Sequence, residues 1–208
     1  MNLSSFIMQI PAAFFALVLH EMTKARCSTW LGDPTPKNSG LMSGNPFKYL
    51  EPIGYILTVV FGFGWGRPTP TSPMYYKDIK KGILITYLTP SLVNLAAGLL
   101  AALLSGTLNV AAAQLGAGLQ QTFMAYVVVM LATFAHCSVA IALFNMIPVP
   151  PLGAAKLLQA ALSPNAAIKM TQNEKVLQII LMMLIMIGLI SRIIGPIAEQ
   201  IVRAAWLF

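Results

Sequence analysis

The sequence predicts an all-α polytopic membrane protein, and three observations carry that prediction. Of 208 residues, 57% are hydrophobic and only 9% are charged, whereas soluble domains carry about 25% charged residues. Several apolar stretches reach the length of about 20 residues that crosses the hydrocarbon core of a bilayer. The net charge of +7 comes from lysines and arginines gathered between those stretches, where basic residues set topology. Membrane lipid and other transmembrane proteins or helices are therefore the expected partners, and nucleic acid is not. Cys27 and Cys137 make no disulfide framework and read as two packed thiols. The first apolar segment has no basic leader, so no cleavable signal is expected. Residues 1–208 read as one integral membrane domain.

Each element follows in order. Four long spans are expected, at about 3–24, 82–104, 122–146 and 174–191, with Pro11 a kink candidate in the first. Residues 30–50 are rich in turn signals: Gly32-Asp33-Pro34, Asn38-Ser39-Gly40 and Gly44-Asn45-Pro46. They suit loops or one small β-hairpin at the membrane surface, the only place for strands. Residues 52–66 are apolar but too short and glycine-rich for an upright span, which fits a short re-entrant or tilted helix. Arg67 to Lys81 is a basic, proline-rich loop, and 106–121 is a loop without a single charge. Leu157 to Asn173 reads as an interfacial connection. A C-terminal helix is expected after Gly195, lying in the interface or crossing obliquely.

Lysines and arginines then orient the chain. Residues 24–81 hold eight of them, and 106–121 hold none. Positive loops stay cytoplasmic, so 24–81 and 147–175 are expected to face the cytoplasm. His20 and the 148–153 segment approach the membrane from the same side.

Two short motifs carry the chemistry. His20-Glu21-Met22-Thr23-Lys24 ends the first apolar segment. A zinc protease helix uses HExxH, with two imidazoles one turn apart on one face and a glutamate as general base. Here Lys24 occupies the second imidazole's place, and an ammonium has no lone pair to give a metal. The other motif is Asn145-Met146-Ile147-Pro148-Val149-Pro150-Pro151-Leu152-Gly153. Together they resemble the site-2 protease family of intramembrane zinc metalloproteases, the M50 peptidases. The second signature of that family runs N-x-x-P-x-P-P-L-D-G, and its aspartate is a zinc ligand. Gly32-Asp33-Pro34-Thr35, Asn45-Pro46, Glu51-Pro52-Ile53-Gly54, Gly64-Trp65-Gly66-Arg67-Pro68-Thr69-Pro70 and Pro90 with Asn94 are similar to compact bacterial members. The resemblance covers roughly residues 8–160, and it implies a site-2-protease-like core over about 3–160 followed by C-terminal transmembrane or interfacial helices over about 174–208.

The resemblance fails where the chemistry sits. It implies that His20 is a vestigial ligand and Glu21 a vestigial general base. Lys24 and Gly153 stand where the other two ligands belong. A catalytic zinc needs three protein ligands and an open position for water, so no metal and no other cofactor are expected. His136, the second histidine, lies nine residues before Asn145 and about 13 Å deeper, which suits an interhelical hydrogen bond. Cys27, Cys137 and Asp33 are placed no better. Methionines such as Met182, Met183 and Met186 read as lipid-facing or packed. Glu21 and Lys24, three apart, can pair on one helix face, or Lys24 can snorkel to water.

Three functions compete. One is an inactive family member acting as a binding, scaffold or accessory subunit of a membrane complex, with Asn145, Pro148, Pro150 and Pro151 shaping a groove for a substrate-like or partner segment. Another is an active intramembrane zinc protease with a nonstandard metal site, cleaving transmembrane peptides. The third is a small transporter component, suggested by the broken apolar segment and buried charges, but no inverted repeat supports it.

Overall fold

The computed structural model describes residues 3–114 and 118–206, and nine α-helices lie among the described residues. Three are long and apolar enough to cross a membrane: α1 (Leu3–Trp30), α4 (Ile79–Ala113) and α5 (Leu119–Phe144). The short helices are α2 (Thr35–Asn38), α3 (Pro52–Phe61), α6 (Gly153–Ala161) and α7 (Pro164–Gln172), and the chain ends in α8 (Glu174–Met186) and α9 (Leu189–Trp206). The chain is an all-α polytopic membrane protein.

The long helices pack against one another, α1 on α4 and α5, and α4 on α5. Small residues let them approach: Ala12, Ala16, Ala101, Ala102 and Ala135 are buried at these contacts, as is usual where packing rather than hydrophobicity drives helices together in lipid. Asn94 on α4 donates to the Ala16 carbonyl of α1 at 3.1 Å. The main apolar core gathers Phe63, Phe144, Leu152, Leu181, Ile185, Ile190 and Ile194 from five separate stretches of chain.

Four expectations need correction. Residues 30–50 hold no strand among the described residues: α2 and two 3-10 turns, Leu41–Ser43 and Pro46–Tyr49, fill the segment. Pro34, Pro36 and Pro46 remove ladder donors, and Gly40 and Gly44 turn the chain at positive φ. The expected loop at 106–121 is helical through Ala113, since Ala111, Ala112 and Ala113 favour helix. Residues 115–117 of that loop lie outside the described residues. The fourth span is a pair of helices, α8 and α9, bent by 68° at Gly188, whose φ is 76°. The last helix consequently starts at Leu189, not after Gly195, and runs through Pro196. The interfacial connection at 157–173 is built of α6 and α7.

The segment at 52–66 folds as a short helix and an extended return. Glu51 caps α3 by accepting from the Gly54 amide, and Gly62 closes it at φ 84°. The return then lies backbone-on-backbone against α3, because a Cβ at Gly54 would overlap the Trp65 carbonyl. That return sets Trp65 on Phe144, ring centroids 6.5 Å apart, and carries the chain back to the end of α1.

Candidate active site

The site starts on α1. Residues 20, 21 and 24 lie on the inward side of one turn, and all three are buried: His20 1%, Glu21 3% and Lys24 5% exposed. Lys24 Nζ donates to Glu21 Oε1 at 2.7 Å. Lys24 therefore does not snorkel to water, and its charge stays inside the bundle. The second carboxylate oxygen of Glu21 accepts from Thr69 Oγ1 at 2.9 Å. Thr69 belongs to the extended return after Gly66. Gly66 lets that return pass close, since a Cβ there would press on Glu21 Cγ and the Tyr49 carbonyl. The next amide, of Arg67, donates to the same Tyr49 carbonyl at 2.8 Å.

The motif around Asn145 arrives from the far side. α5 ends at Asn145, whose carbonyl accepts from the Ala154 amide at 3.0 Å while its side-chain amide donates to the Ile141 carbonyl at 3.0 Å. The intervening turn, with a cis Pro150–Pro151 bond, folds back so that α6 begins against α4. Lys24, Thr69, Tyr87, Pro150, Pro151 and Leu152 then line one cavity of about 110 Å³. Pro148 is exposed and stays outside that lining. Beside it, sharing Pro68, Pro151 and Gln178, lies a larger groove of about 490 Å³ between α3 and α8, walled by Ile53, Trp65, Ile179 and Met182.

A second polar cluster braces this end of the bundle. Asp33 Oδ2 accepts from Ser28 Oγ and from the Ser72 amide, each at 2.7 Å, and Oδ1 accepts from the Thr35 amide and hydroxyl. Ser28 also meets the Tyr76 hydroxyl at 2.7 Å, which accepts from Thr86 at 3.1 Å. Burial pushes the Asp33 carboxyl up, but these four hydrogen bonds outweigh it and hold the group below the ordinary carboxylate range. Asp33 thus clamps the 67–76 segment onto α1, with both carboxylate oxygens taken up by hydrogen bonds.

The donor set does not fit a catalytic zinc. His20 keeps two buried nitrogens with no hydrogen-bond partner; a metal takes one and a ligating imidazole donates its other N–H to a neighbour, and one imidazole is one ligand of three. Lys24 presents an ammonium committed to Glu21. Gly153 has no side chain, and a Cβ there would sit 3.2 Å from the Tyr87 carbonyl. Among the described residues no three His, Cys, Asp or Glu side chains converge. His136 lines a different cavity, of about 480 Å³, with Gln9, Thr133 and Cys137. Its Nδ1 has no hydrogen-bond partner, so the interhelical bond expected of it is not made through that atom. Thr69 and Tyr87 are the site residues that sequence reasoning missed, although Thr69 stands inside the Arg67-Pro68-Thr69-Pro70 run that carries part of the resemblance.

Comparison with known proteins bears on the same point. No family model matches the chain, and no solved structure matches it. It is 30% identical over 185 residues to "Putative zinc metalloprotease YwhC" of Bacillus subtilis (strain 168), covering 87% of this chain and 81% of that protein. With that identity and coverage, the chain belongs to the site-2-protease-like metalloprotease family.

Proposed function

We propose that this protein is a catalytically inactive member of its family that uses the retained groove to bind, as a scaffold or accessory subunit of a membrane complex. The observation that carries the reading is the 2.7 Å contact between Lys24 Nζ and Glu21 Oε1. A general base must be free to take a proton from the attacking water. Here Glu21 is held by an ammonium on one oxygen and by Thr69 on the other. The group that would polarise that water has lost two of its three ligands. What remains is an apolar groove between α3 and α8, open to a transmembrane segment that is held and not cut. The positive loops place 24–81 and 147–175 on the cytoplasmic side of a bacterial cytoplasmic membrane in this reading.

The competing reading, a working zinc protease with a nonstandard site, draws on His20 and its two unpartnered nitrogens. One experiment separates the two. The purified protein is assayed for zinc content and for chelator-sensitive cleavage of transmembrane peptides, beside a Lys24→His/Gly153→Asp double variant. The expected result is no stoichiometric zinc in the parent and zinc in the double variant, with either single change insufficient. The Tyr87 carbonyl must give by a few tenths of an ångström to admit Asp at 153. Zinc in the parent together with cleavage abolished by Glu21→Gln establishes the competing reading.

A further inference from the structure

A pocket that shares no lining residue with the cavity beside Lys24 lies where the end of α1 meets the start of α4. It measures about 430 Å³ and is lined by Trp30, Leu31, Tyr76, Lys77, Lys81 and Ile85, with Asp78 and Gly82 completing it. Its floor is the Tyr76 ring packed so closely over Gly82 that a Cβ at 82 would overlap it. Lys77 and Lys81 stand at its rim with Lys80 beside them, against the single carboxylate of Asp78. Lys81 Nζ lies 3.8 Å from Asp78 Oδ2, with both side chains in the open, so that contact leaves the basic excess in place. Trp30 is 81% exposed, and Ile79 and Leu84 are exposed apolar residues on the same first two turns of α4 that carry Lys81.

The depth of this pocket follows from α4. Toward the helix's other end, two turns before Ala113, Trp206 Nε1 donates to Ser105 Oγ at 2.8 Å, the kind of tryptophan that marks a membrane–water boundary. A hydrocarbon core of about 30 Å takes about 20 residues of helix, which puts the opposite boundary near Ile85. Ile85, Leu84 and Trp30 then meet acyl chains while Lys77 and Lys81 meet the headgroup layer. Basic pockets between helices at this level bind anionic headgroups. We propose that this pocket is a binding site for an anionic phospholipid, its phosphate held by Lys77 and Lys81 and its upper acyl chain laid along Trp30 and Ile85.

The test uses the full chain in bilayers of phosphatidylcholine, with and without phosphatidylglycerol, read by thermal unfolding and by lipid retention in native mass spectrometry. Phosphatidylglycerol should raise the unfolding temperature and stay bound. Each lysine near an anionic surface contributes about fivefold in affinity, so Lys77→Gln/Lys81→Gln should bind about 25-fold more weakly and lose the thermal shift. Lys77→Arg/Lys81→Arg should keep both. Lys37→Gln/Lys169→Gln removes the same net charge from exposed positions elsewhere and should change neither. An equal loss in that control pair, or an equal thermal shift with inorganic phosphate in phosphatidylcholine alone, overturns the proposal.

Discussion

Lys24 and Glu21 form a buried ion pair with a third partner, and its energetics can be separated by substitution. Removing one charge of a buried pair leaves the other unpaired, which costs about 3–5 kcal/mol, whereas replacing both with apolar or neutral groups is often close to neutral. Glu21→Gln alone should therefore lower unfolding stability by several kcal/mol, and the added Lys24→Met should recover most of it. Denaturant unfolding of the parent, both singles and the double completes the cycle; equal stability of Glu21→Gln and the double would sink the role given to Lys24. Asp33 makes a pH-dependent prediction. Its folded pKa lies below the ordinary value, so its contribution is fully present above the unfolded pKa of about 3.9 and is lost as pH falls through the folded value. Stability of the parent should drop below about pH 4. Asp33→Asn should cost about 2–3 kcal/mol at neutral pH and should flatten that acid limb.

At the scale of elements, the re-entrant unit depends on glycine more than on apolar side chains. The chain after α3 can return against it only because Gly54 presents no Cβ to the Trp65 carbonyl. Gly54→Ala should cost about 1–3 kcal/mol through overpacking and should displace Thr69 from Glu21. Thermal unfolding measures the first effect, and cross-linking between introduced cysteines on the two segments measures the second. α9 makes a complementary test within one helix. Ile194 is buried in the main core and Ile193, its neighbour, is 54% exposed. Ile194→Ala should cost about 2–4 kcal/mol while Ile193→Ala stays near neutral, as read by unfolding midpoints in detergent. An equal effect at both positions would remove α9 from the bundle.

For the whole molecule, the cavity beside Lys24, the α3–α8 groove and the lipid pocket all open near the ends of α1 and α5 that carry the polar residues. The 67–76 segment ties them together, bonded to α1 through Glu21 and through Asp33. Loosening that strap should affect groove and ion pair at once. Thr69→Val should weaken the Glu21–Lys24 pair and lower stability by about 1–2 kcal/mol, with a larger effect when combined with Asp33→Asn than the two changes summed, since they share one segment.

Composition and spacing alone settled the class of this protein and the position of its long apolar helices. Hydrocarbon thickness is fixed and hydropathy is a local property, so the apolar spans within α1, α4 and α5 could be read directly, though not the continuation of α4 to Ala113. The identity of the residues at 20, 21, 24 and 153 was equally plain, since a missing lone pair needs no coordinates. The turns at 30–50 misled because glycine and proline mark a break without saying whether hairpin or helical turns fill it. α8 and α9 misled because Gly188 and Gly195 look alike in sequence, and only the folded backbone, with Gly188 at φ 76°, shows which one bends. Lys24 could be paired with Glu21 on helix spacing, but Thr69, the second partner of Glu21, lies 48 residues away, the partner of Asp33 on the strap 39 away, and that of Trp206 101 away. Contacts of that range depend on how whole helices dock, which periodicity along one segment does not encode, and so the tertiary structure alone decided what surrounds Glu21 and Lys24.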